Sequence, residues 1–272
     1  MLFYYAYTGH KIGLDRVKKA AAVIKALEAK GVACRLLVND FRAGLAAREF
    51  GVAESITIET IQDIDAVAQM GNSVIIDSPE DDHGRLAKYT QEFHTVFKWR
   101  EDANEQSQYG EILLDGVMVD PLYEAAPKEK EQRKLFFLND ADYDKLILSH
   151  ASLFEGNQVE LLLGHYFFVK YEDALAKIFT TLHEPEEYIS LIQTSSCVIT
   201  SSLQTAFEAK SAGACVYFIN LLHEEEMVLN YLQCNDIEVV DSLDEVACSG
   251  ECLEISISQL EYCVQEICTK LN

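Results

Sequence analysis

The sequence has few basic residues and no long hydrophobic run. It contains 22 lysines and arginines against 45 aspartates and glutamates, which gives a formal net charge of −23. This shortage of cations excludes non-specific nucleic-acid binding as a main activity, since such binding needs cations to displace counterions from phosphates. It also disfavours docking on anionic membranes. No window approaches the roughly 18 apolar residues of a membrane span, so we expect neither nucleic acid nor a membrane as a partner.

Cysteines are present, but not at the spacing typical of a zinc site. The eight cysteines include Cys248-x3-Cys252 and Cys263-x4-Cys268, which lack the two-residue spacing of a zinc knuckle and a following histidine. The first residues also lack the basic region, apolar stretch and cleavage site of a signal peptide. We therefore expect a cytoplasmic protein with reduced thiols and with no metal or other cofactor.

Short apolar runs alternate with segments of helical period, which is typical of parallel sheets with crossover helices. Strands are predicted at residues 2–7, 32–38, 55–58, 73–77, 94–97 and 111–117, and again at 135–138, 159–163, 178–181, 197–200, 216–219 and 237–240. Helices are predicted at residues 14–30, 142–154, 185–193, 202–212, 224–233 and 256–271. The fold class is therefore α/β, with two Rossmann-like domains and a cleft between them.

A charged stretch separates the two halves of this alternation. Residues 120–134 hold two of the four prolines and the run Lys128-Glu-Lys-Glu-Gln-Arg-Lys134, as expected of a linker. We predict an N-terminal Rossmann-like domain at residues 1–124, a linker at 125–134 and a C-terminal nucleotide-binding domain at 135–272. Ligands of open α/β sheets bind at the carboxyl ends of the strands.

The first candidate site is the loop Thr8-Gly9-His10-Lys11-Ile12-Gly13, which lies between the first strand and the first helix. Glycines allow close approach to a ligand, and a helix amino end attracts anions. The predicted binding residues here are Gly9, Lys11, Gly13 and Arg16, and His10 is the candidate general base. A simple turn followed by a solvated helix face remains the alternative.

The second candidate site lies at the start of the helix predicted at residues 202–212. Ser201 and Ser202 follow a buried strand, where hydroxyl groups cap a helix and bind phosphate oxygens. Thr205 and Glu208 lie one turn apart on this helix, so that the carboxylate is placed to accept hydrogen bonds from a ribose diol. A capped helix with an exposed glutamate is the alternative.

Acidic residues follow two predicted strands. Asp77 ends the strand predicted at residues 73–77, and Asp81 follows it. Both are candidates for acid–base chemistry, or they belong to a solvated loop. Asp140, Asp142 and Asp144 form a D-x-D-x-D run, but it lacks the glycine and distal glutamate of a calcium loop.

Together these motifs resemble the GT-B nucleotide-sugar enzymes. The Thr205-x-x-Glu208 pair with the small-small-Gly213 ending is similar to their donor-nucleotide motif. The order of motifs is most similar to the UDP-sugar hydrolases of pseudaminic acid biosynthesis, relatives of the lipid I N-acetylglucosaminyltransferase. The resemblance implies UDP-type nucleotide-sugar binding and a role in surface-glycan or flagellin-sugar biosynthesis.

The sequence departs from that family at its catalytic and phosphate-binding positions. Asp15 and Arg16 stand where the hydrolases have a Gly-His pair whose histidine is catalytic. Asn139 and Asp140 stand where they have a Gly-Gly turn that meets the nucleotide phosphates, and Ser202 replaces a frequent glycine. The sequence thus predicts a nucleotide-sugar hydrolase or transferase, with a catalytically degenerate binding or scaffold protein as the alternative. A module that binds a basic protein partner is a third possibility, and the oligomeric state is not predicted.

Overall fold

The chain forms two compact units in the computed structural model, which describes residues 1–247 and 259–271. The first unit comprises Met1–Gly9, Arg16–Met118 and Ser258–Asn272, and the second comprises His10–Asp15 and Val119–Ile257. Each unit contains one six-stranded sheet in which all the strands are parallel.

The first sheet has the strand order β3-β2-β1-β4-β5-β6, the order of the classic Rossmann fold. Its elements are β1 (Leu2–Ala6), α1 (Asp15–Ala29), β2 (Cys34–Val38), α2 (Phe41–Glu49), β3 (Ser55–Thr57), α3 (Ile64–Val67), β4 (Ser73–Asp77), α4 (Arg85–Glu92), β5 (Thr95–Trp99) and β6 (Ile112–Leu114). The helix α1 buries the stripe predicted from the sequence, which consists of Val17, Ala20, Ala21, Ile24 and Leu27.

The second sheet repeats this topology in the order β12-β11-β10-β7-β8-β9. Its elements are β7 (Glu131–Phe137), α5 (Leu146–Ser149), β8 (Glu160–Leu162), α6 (Val169–Leu175), β9 (Leu182–His183), α7 (Tyr188–Thr194), β10 (Ser195–Thr200), α8 (Leu203–Ser211), β11 (Cys215–Ile219), α9 (Glu226–Cys234) and β12 (Glu238–Val240). The predicted fold class, α/β with two Rossmann-like units, is confirmed.

Three element predictions in the second unit are corrected. The strand β7 begins at Glu131, inside the predicted linker, because Glu131 pairs in register with Ser195 of β10. The strand predicted at 178–181 is wrong, since Phe179 is buried in the core after α6 and the half-buried Ile178 packs against that core, and β9 follows at Leu182–His183. The helix predicted at 142–154 is limited to α5 and a short 3-10 turn.

The last described helix, α10 (Gln259–Leu271), belongs to the first unit, whereas the sequence placed it in the C-terminal domain. It buries Leu260, Cys263, Val264 and Ile267. The amide of Val117 donates to Oε1 of Gln259 at 3.2 Å. An amphipathic helix packs where its apolar face finds a partner, so its position along the chain does not determine its unit.

Two further expectations concern membranes and cysteines. Across residues 1–247 and 259–271, no helix is long and apolar enough to cross a membrane. The expectation of reduced thiols is wrong for Cys215, which is disulfide-bonded. Cys34, Cys197, Cys234, Cys263 and Cys268 form no disulfide. Cys248 and Cys252 lie outside the described residues.

Candidate functional site

The loop His10–Asp15 lies against the carboxyl ends of the second sheet's strands, within the second unit. Nδ2 of Asn139, two residues after β7, donates to the carbonyl of Ile12 at 3.4 Å. Gly13 has a φ of +87°, and an added Cβ would lie 2.1 Å from Oδ1 of Asn139. The predicted loop therefore contacts the residues that follow β7. We use the name second carboxyl edge for the loop His10–Asp15 together with the residues that follow the carboxyl ends of the strands in the second sheet.

Replacing Gly13 with alanine is expected to destabilise the second unit by about 1–3 kcal/mol, through backbone strain and the clash with Asn139. Asn139 cannot turn away freely, because its Oδ1 also accepts from the Asp140 amide at 2.6 Å. Urea denaturation measures the loss. Gly31→Ala is the matched control, since Gly31 has a φ of +81° and nothing within 4 Å of the added Cβ. Equal losses in the two variants would contradict the contact with Asn139.

The amino end of α8 is bonded to the same loop. The Ser202 hydroxyl caps α8 by accepting from the Thr205 amide at 3.0 Å, and it donates to Oδ2 of Asp15 at 2.8 Å. A carboxylate is favoured at a helix amino end, where anions bind. The Ser201 hydroxyl donates to the Ile219 carbonyl at 2.5 Å, in the interior. Asp15 thus holds the place at which a donor phosphate was expected.

The predicted ribose-binding pair is buried and already bonded. Glu208 is 2% exposed, and its carboxylate accepts from the Tyr188 hydroxyl at 2.6 Å and from the Gln204 amide at 2.8 Å. The hydroxyls of Tyr188 and Thr205 lie 2.7 Å apart. Burial and then the charge of Glu208 raise the pKa values of Tyr188 and Tyr123 well above the usual range. The alternative of a capped helix with an exposed glutamate is therefore right about the Ser202 cap and wrong about the exposure of Glu208.

A carboxylate and an imidazole meet where β7 and β8 end. Nδ1 of His165 lies 2.7 Å from Oδ1 of Asp140, whose side chain is fully buried, while that of His165 is 13% exposed. The Asp140 carboxylate therefore faces His165 and not open solvent. The sequence alone assigns His165 no role, and its one signal is its position just after a predicted strand.

The side chains of His10 and Lys11 in the loop lie beside an exposed tyrosine. The ring of His10 lies 5.3 Å from that of Tyr143, and Nζ of Lys11 lies 4.6 Å from the same ring's centre. All three side chains belong to exposed residues. Glu224 follows β11 at this edge, and burial, then Asp15, then Glu225 raise its pKa. The edge therefore carries both cations and carboxylates.

The predicted acid–base residues Asp77 and Asp81 belong to the first unit. Asp77 is 1% exposed, with Nζ of Lys19 at 2.9 Å and Nε of Arg16 at 3.3 Å. The Tyr4 hydroxyl donates to it at 3.0 Å, and burial followed by the charge of Asp77 raises the pKa of Tyr4. Arg16 also pairs with Glu101 at 2.6 Å. Through these contacts Asp77 anchors the first turns of α1.

The remaining predicted site residues of the first unit are Gly9 and Asp81. Gly9 has nothing within 4 Å of an added Cβ, and Asp81 is exposed and accepts from the His83 amide at 2.9 Å. A cavity of about 470 Å³ beside β4 and β5 is lined by Glu80, Glu101, Asp102 and Glu105, and its lysine, Lys98, pairs with Glu105. The carboxylates of this lining would repel a nucleotide phosphate, so the cavity does not suit such a ligand.

One member of the aspartate run after β7, Asp142, has a structural role. Asp142 accepts from the amides of Leu146 at 2.7 Å and Ile147 at 3.1 Å, and from the Tyr171 hydroxyl. It thereby caps α5. Within the described part of the chain, no group of three or more His, Cys, Asp or Glu side chains could hold a metal ion.

Comparisons with known proteins connect this architecture to an enzyme class. No protein-family model and no curated protein matches the sequence. The structure is similar to UDP-GlcNAc 2-epimerase from Methanocaldococcus jannaschii, solved with UDP-GlcNAc and UDP, with a TM-score of 0.60, 10% identity, and 99% of this chain and 100% of that chain covered. It is also similar to a Listeria monocytogenes protein assigned as a UDP-N-acetylglucosamine 2-epimerase, with a TM-score of 0.56 and 12% identity. The match covers 99% of this chain and 87% of that chain. The chain therefore has the α/β architecture of the GT-B nucleotide-sugar enzymes.

Proposed function

We propose that this chain processes a nucleotide sugar, of the UDP type, by hydrolysis or transfer at the second carboxyl edge. The coarse class is supported by the similarity to two epimerases over nearly the whole chain. The M. jannaschii protein was solved with UDP-GlcNAc and UDP, which makes UDP the nucleotide to test first. A role in surface-glycan or flagellin-sugar biosynthesis is part of this proposal and rests on the sequence resemblance.

One observation carries the proposal, namely the hydrogen bonding of Glu208. Its two carboxylate oxygens accept from two different donors, Tyr188 and Gln204, and the hydroxyl of Thr205 lies beside the first of them. This is the arrangement that a ribose diol requires of a protein: a fixed carboxylate that accepts two hydrogen bonds. In this proposal the Tyr188 hydroxyl holds the place of one ribose hydroxyl and yields it when a nucleotide binds.

The same contacts predict a weak affinity. A nucleotide must displace the Tyr188 hydroxyl from Glu208 and the Asp15 carboxylate from Ser202 before it can make its own bonds. The observed affinity equals the intrinsic affinity multiplied by the fraction of molecules in which both side chains have moved away. A small fraction therefore gives a weak observed affinity. We therefore expect the full chain to bind UDP, but only at high nucleotide concentration.

A catalytically degenerate binding or scaffold protein is the second candidate, and Asp15 favours it. Its carboxylate lies 2.8 Å from the Ser202 hydroxyl, so a negative charge belonging to the chain itself stands at the amino end of α8. If Asp15 and Tyr188 never leave, the donor site is permanently closed. The protein would then retain the fold without its reaction, since fold alone does not establish function.

A thermal-shift titration of the full chain separates the two candidates. The nucleotides are UDP and UDP-GlcNAc, with CMP and GDP for comparison, each with and without magnesium. A ligand that binds only the folded state raises the melting temperature with dose, and we expect that rise with UDP. Tyr188→Phe, which removes the competing hydroxyl, is expected to reach the same rise at a lower UDP concentration.

The outcomes are distinct. No rise with any nucleotide at millimolar concentration in the wild-type chain would overturn the proposal and leave the degenerate protein. A rise that is equal for UDP, CMP and GDP would contradict a specific UDP site. Ile189→Val is the control for the substitution, because it changes a neighbouring half-buried residue and leaves the bonds of Glu208 intact.

A further inference from the structure

Two basic side chains at the second carboxyl edge lie beside an aromatic ring. Nζ of Lys11 lies 4.6 Å from the centre of the Tyr143 ring, and the centre of the His10 ring lies 5.3 Å from it. Within residues 1–247 and 259–271, the side chains of Lys11 and His10 form no hydrogen bond and no ion pair. We call Lys11, His10 and Tyr143 the loop cluster.

The many carboxylates of this chain leave the loop cluster uncompensated. Aspartates and glutamates outnumber lysines and arginines by 45 to 22. Asp15 belongs to the same loop, but its carboxylate accepts from the Ser202 hydroxyl. Asp144 directly follows Tyr143 and is exposed, yet in the described part of the chain it forms no ion pair with Lys11. The Lys11 ammonium is therefore available to an anion from outside the chain.

The loop cluster combines an aromatic surface with a positive charge. Tyr143 is 57% exposed, and the C–H face of a sugar packs on a ring of this kind. The Lys11 ammonium binds a carboxylate as a point charge. Because only 4.6 Å separates this charge from the ring centre, the ligand needs its anionic group directly on the stacked ring. A uronic acid meets this requirement, whereas in a nucleotide the ribose separates the base from the phosphates.

The loop cluster also lies close to the proposed nucleotide site. Lys11 and Asp15 are four residues apart, so their Cα atoms are separated by at most about 14 Å. Asp15 lies 2.8 Å from the Ser202 hydroxyl at the amino end of α8, where the proposed function places a nucleotide phosphate. A sugar joined to that phosphate and the long Lys11 side chain together bridge this distance. Asp15 and Glu224 repel a second anionic group at the phosphate end, and Lys11 attracts it.

We infer that the sugar carried by the nucleotide is acidic, that Lys11 binds its carboxylate, and that Tyr143 stacks on the sugar ring. The inference rests on the proposed function and names its substrate class, a UDP-uronate. A second lysine beside an aromatic ring extends the surface. Nζ of Lys145 lies 6.0 Å from the centre of the Phe168 ring, and both residues are exposed. Lys145 is two residues from Tyr143 and adds positive charge to the same edge.

The test compares UDP-glucuronic acid with UDP-glucose, which differ only in a carboxylate in place of a hydroxymethyl group on the sugar ring. Calorimetric titration of the full chain measures both affinities. We expect the wild type to bind UDP-glucuronic acid about 10-fold more tightly, the usual contribution of one hydrogen bond to a charged group. The preference is expected to shrink as the sodium chloride concentration rises, because salt screens exposed charges.

Two substitutions of exposed residues assign this preference to the loop cluster. Lys11→Met is expected to remove the preference and to leave the affinities for UDP and UDP-glucose unchanged. Lys177→Met is the matched control, since Lys177 is an exposed lysine of the second unit with no ion pair among the described residues. Tyr143→Ala is expected to weaken the binding of both nucleotide sugars about 5-fold without affecting UDP, and Tyr143→Phe, which keeps the ring, is expected to bind both like the wild type.

The outcomes separate this inference from the proposed function. Equal affinities for UDP-glucuronic acid and UDP-glucose in the wild type would overturn the inference and leave the proposed function intact. A weaker affinity of Lys11→Met for UDP itself would also overturn it, because Lys11 would then bind a nucleotide phosphate. The same holds if Lys11→Met keeps the full preference. A chain that binds no UDP would overturn the proposed function and this inference with it, and the thermal-shift titration detects that result separately.

Discussion

Asp77→Ala is expected to lower the free energy of unfolding of the first unit by about 3–5 kcal/mol, the usual loss when one partner of a buried ion pair is removed. Asp77 is 1% exposed and is the shared partner of Lys19 and Arg16, at 2.9 and 3.3 Å. Without it, Lys19 loses this carboxylate partner, Arg16 keeps its pairing with Glu101, and the hydroxyl of Tyr4 loses its acceptor. Urea denaturation followed by circular dichroism measures the loss.

Asp81→Ala is the matched control for this prediction. Both aspartates were candidates for acid–base chemistry, but the side chain of Asp81 is 77% exposed. Exposed substitutions of this kind usually change stability by no more than about 0.5 kcal/mol. A small loss in Asp77→Ala, equal to that of Asp81→Ala, would contradict the anchoring role and return Asp77 to the candidate catalytic residues.

Glu208→Ala is expected to have two effects, a loss of UDP binding and a loss of about 1–3 kcal/mol of stability for each buried partner left unbonded. The partners include the Tyr188 hydroxyl, the Gln204 amide and the Tyr123 hydroxyl. Calorimetric titration with UDP measures the first effect, and urea denaturation measures the second. A stable variant with unchanged UDP affinity would remove Glu208 from the nucleotide site.

Two further variants separate binding from folding at this position. Glu208→Gln keeps the shape of the side chain and one acceptor oxygen, so we expect it to lose less stability than Glu208→Ala while still weakening UDP binding. Glu238→Ala, on the exposed side of β12, is the control for removing a glutamate from the second unit, and we expect both its stability and its UDP affinity to be near those of the wild type.

The fold was predictable because its signals are local. The buried stripe of α1 is a helical period within 15 residues, and the backbone of Gly31 ends that helix with a φ of +81°. The exceptions depend on distant partners. The charged start of β7 becomes a strand because β10 pairs with it. Phe179 is buried without belonging to a strand, and Ile178 packs half-buried against the same core.

The candidate site was predictable only in part, for the same reason. Thr205 and Glu208 lie one helical turn apart, and their common side of α8 follows from the sequence alone. Tyr188 bonds to both from 17 and 20 residues earlier in the chain, and no local pattern indicates that contact. The ion pairs of Asp77 likewise depend on where α1 places Lys19 and Arg16. The meeting of Asp140 with His165 needs the strand order before it can be foreseen.

The position of α10 in the first unit has a consequence for protein synthesis. The core of that unit includes side chains near both extremes of the chain, from Leu2 to Ile267. A ribosome releases the chain from its amino end, and domains generally fold in that order during translation. Here the order is altered, because all the described residues of the second unit emerge before α10 does. The unit that is begun first is therefore completed last, and its exposed α10-binding face must avoid aggregation until then.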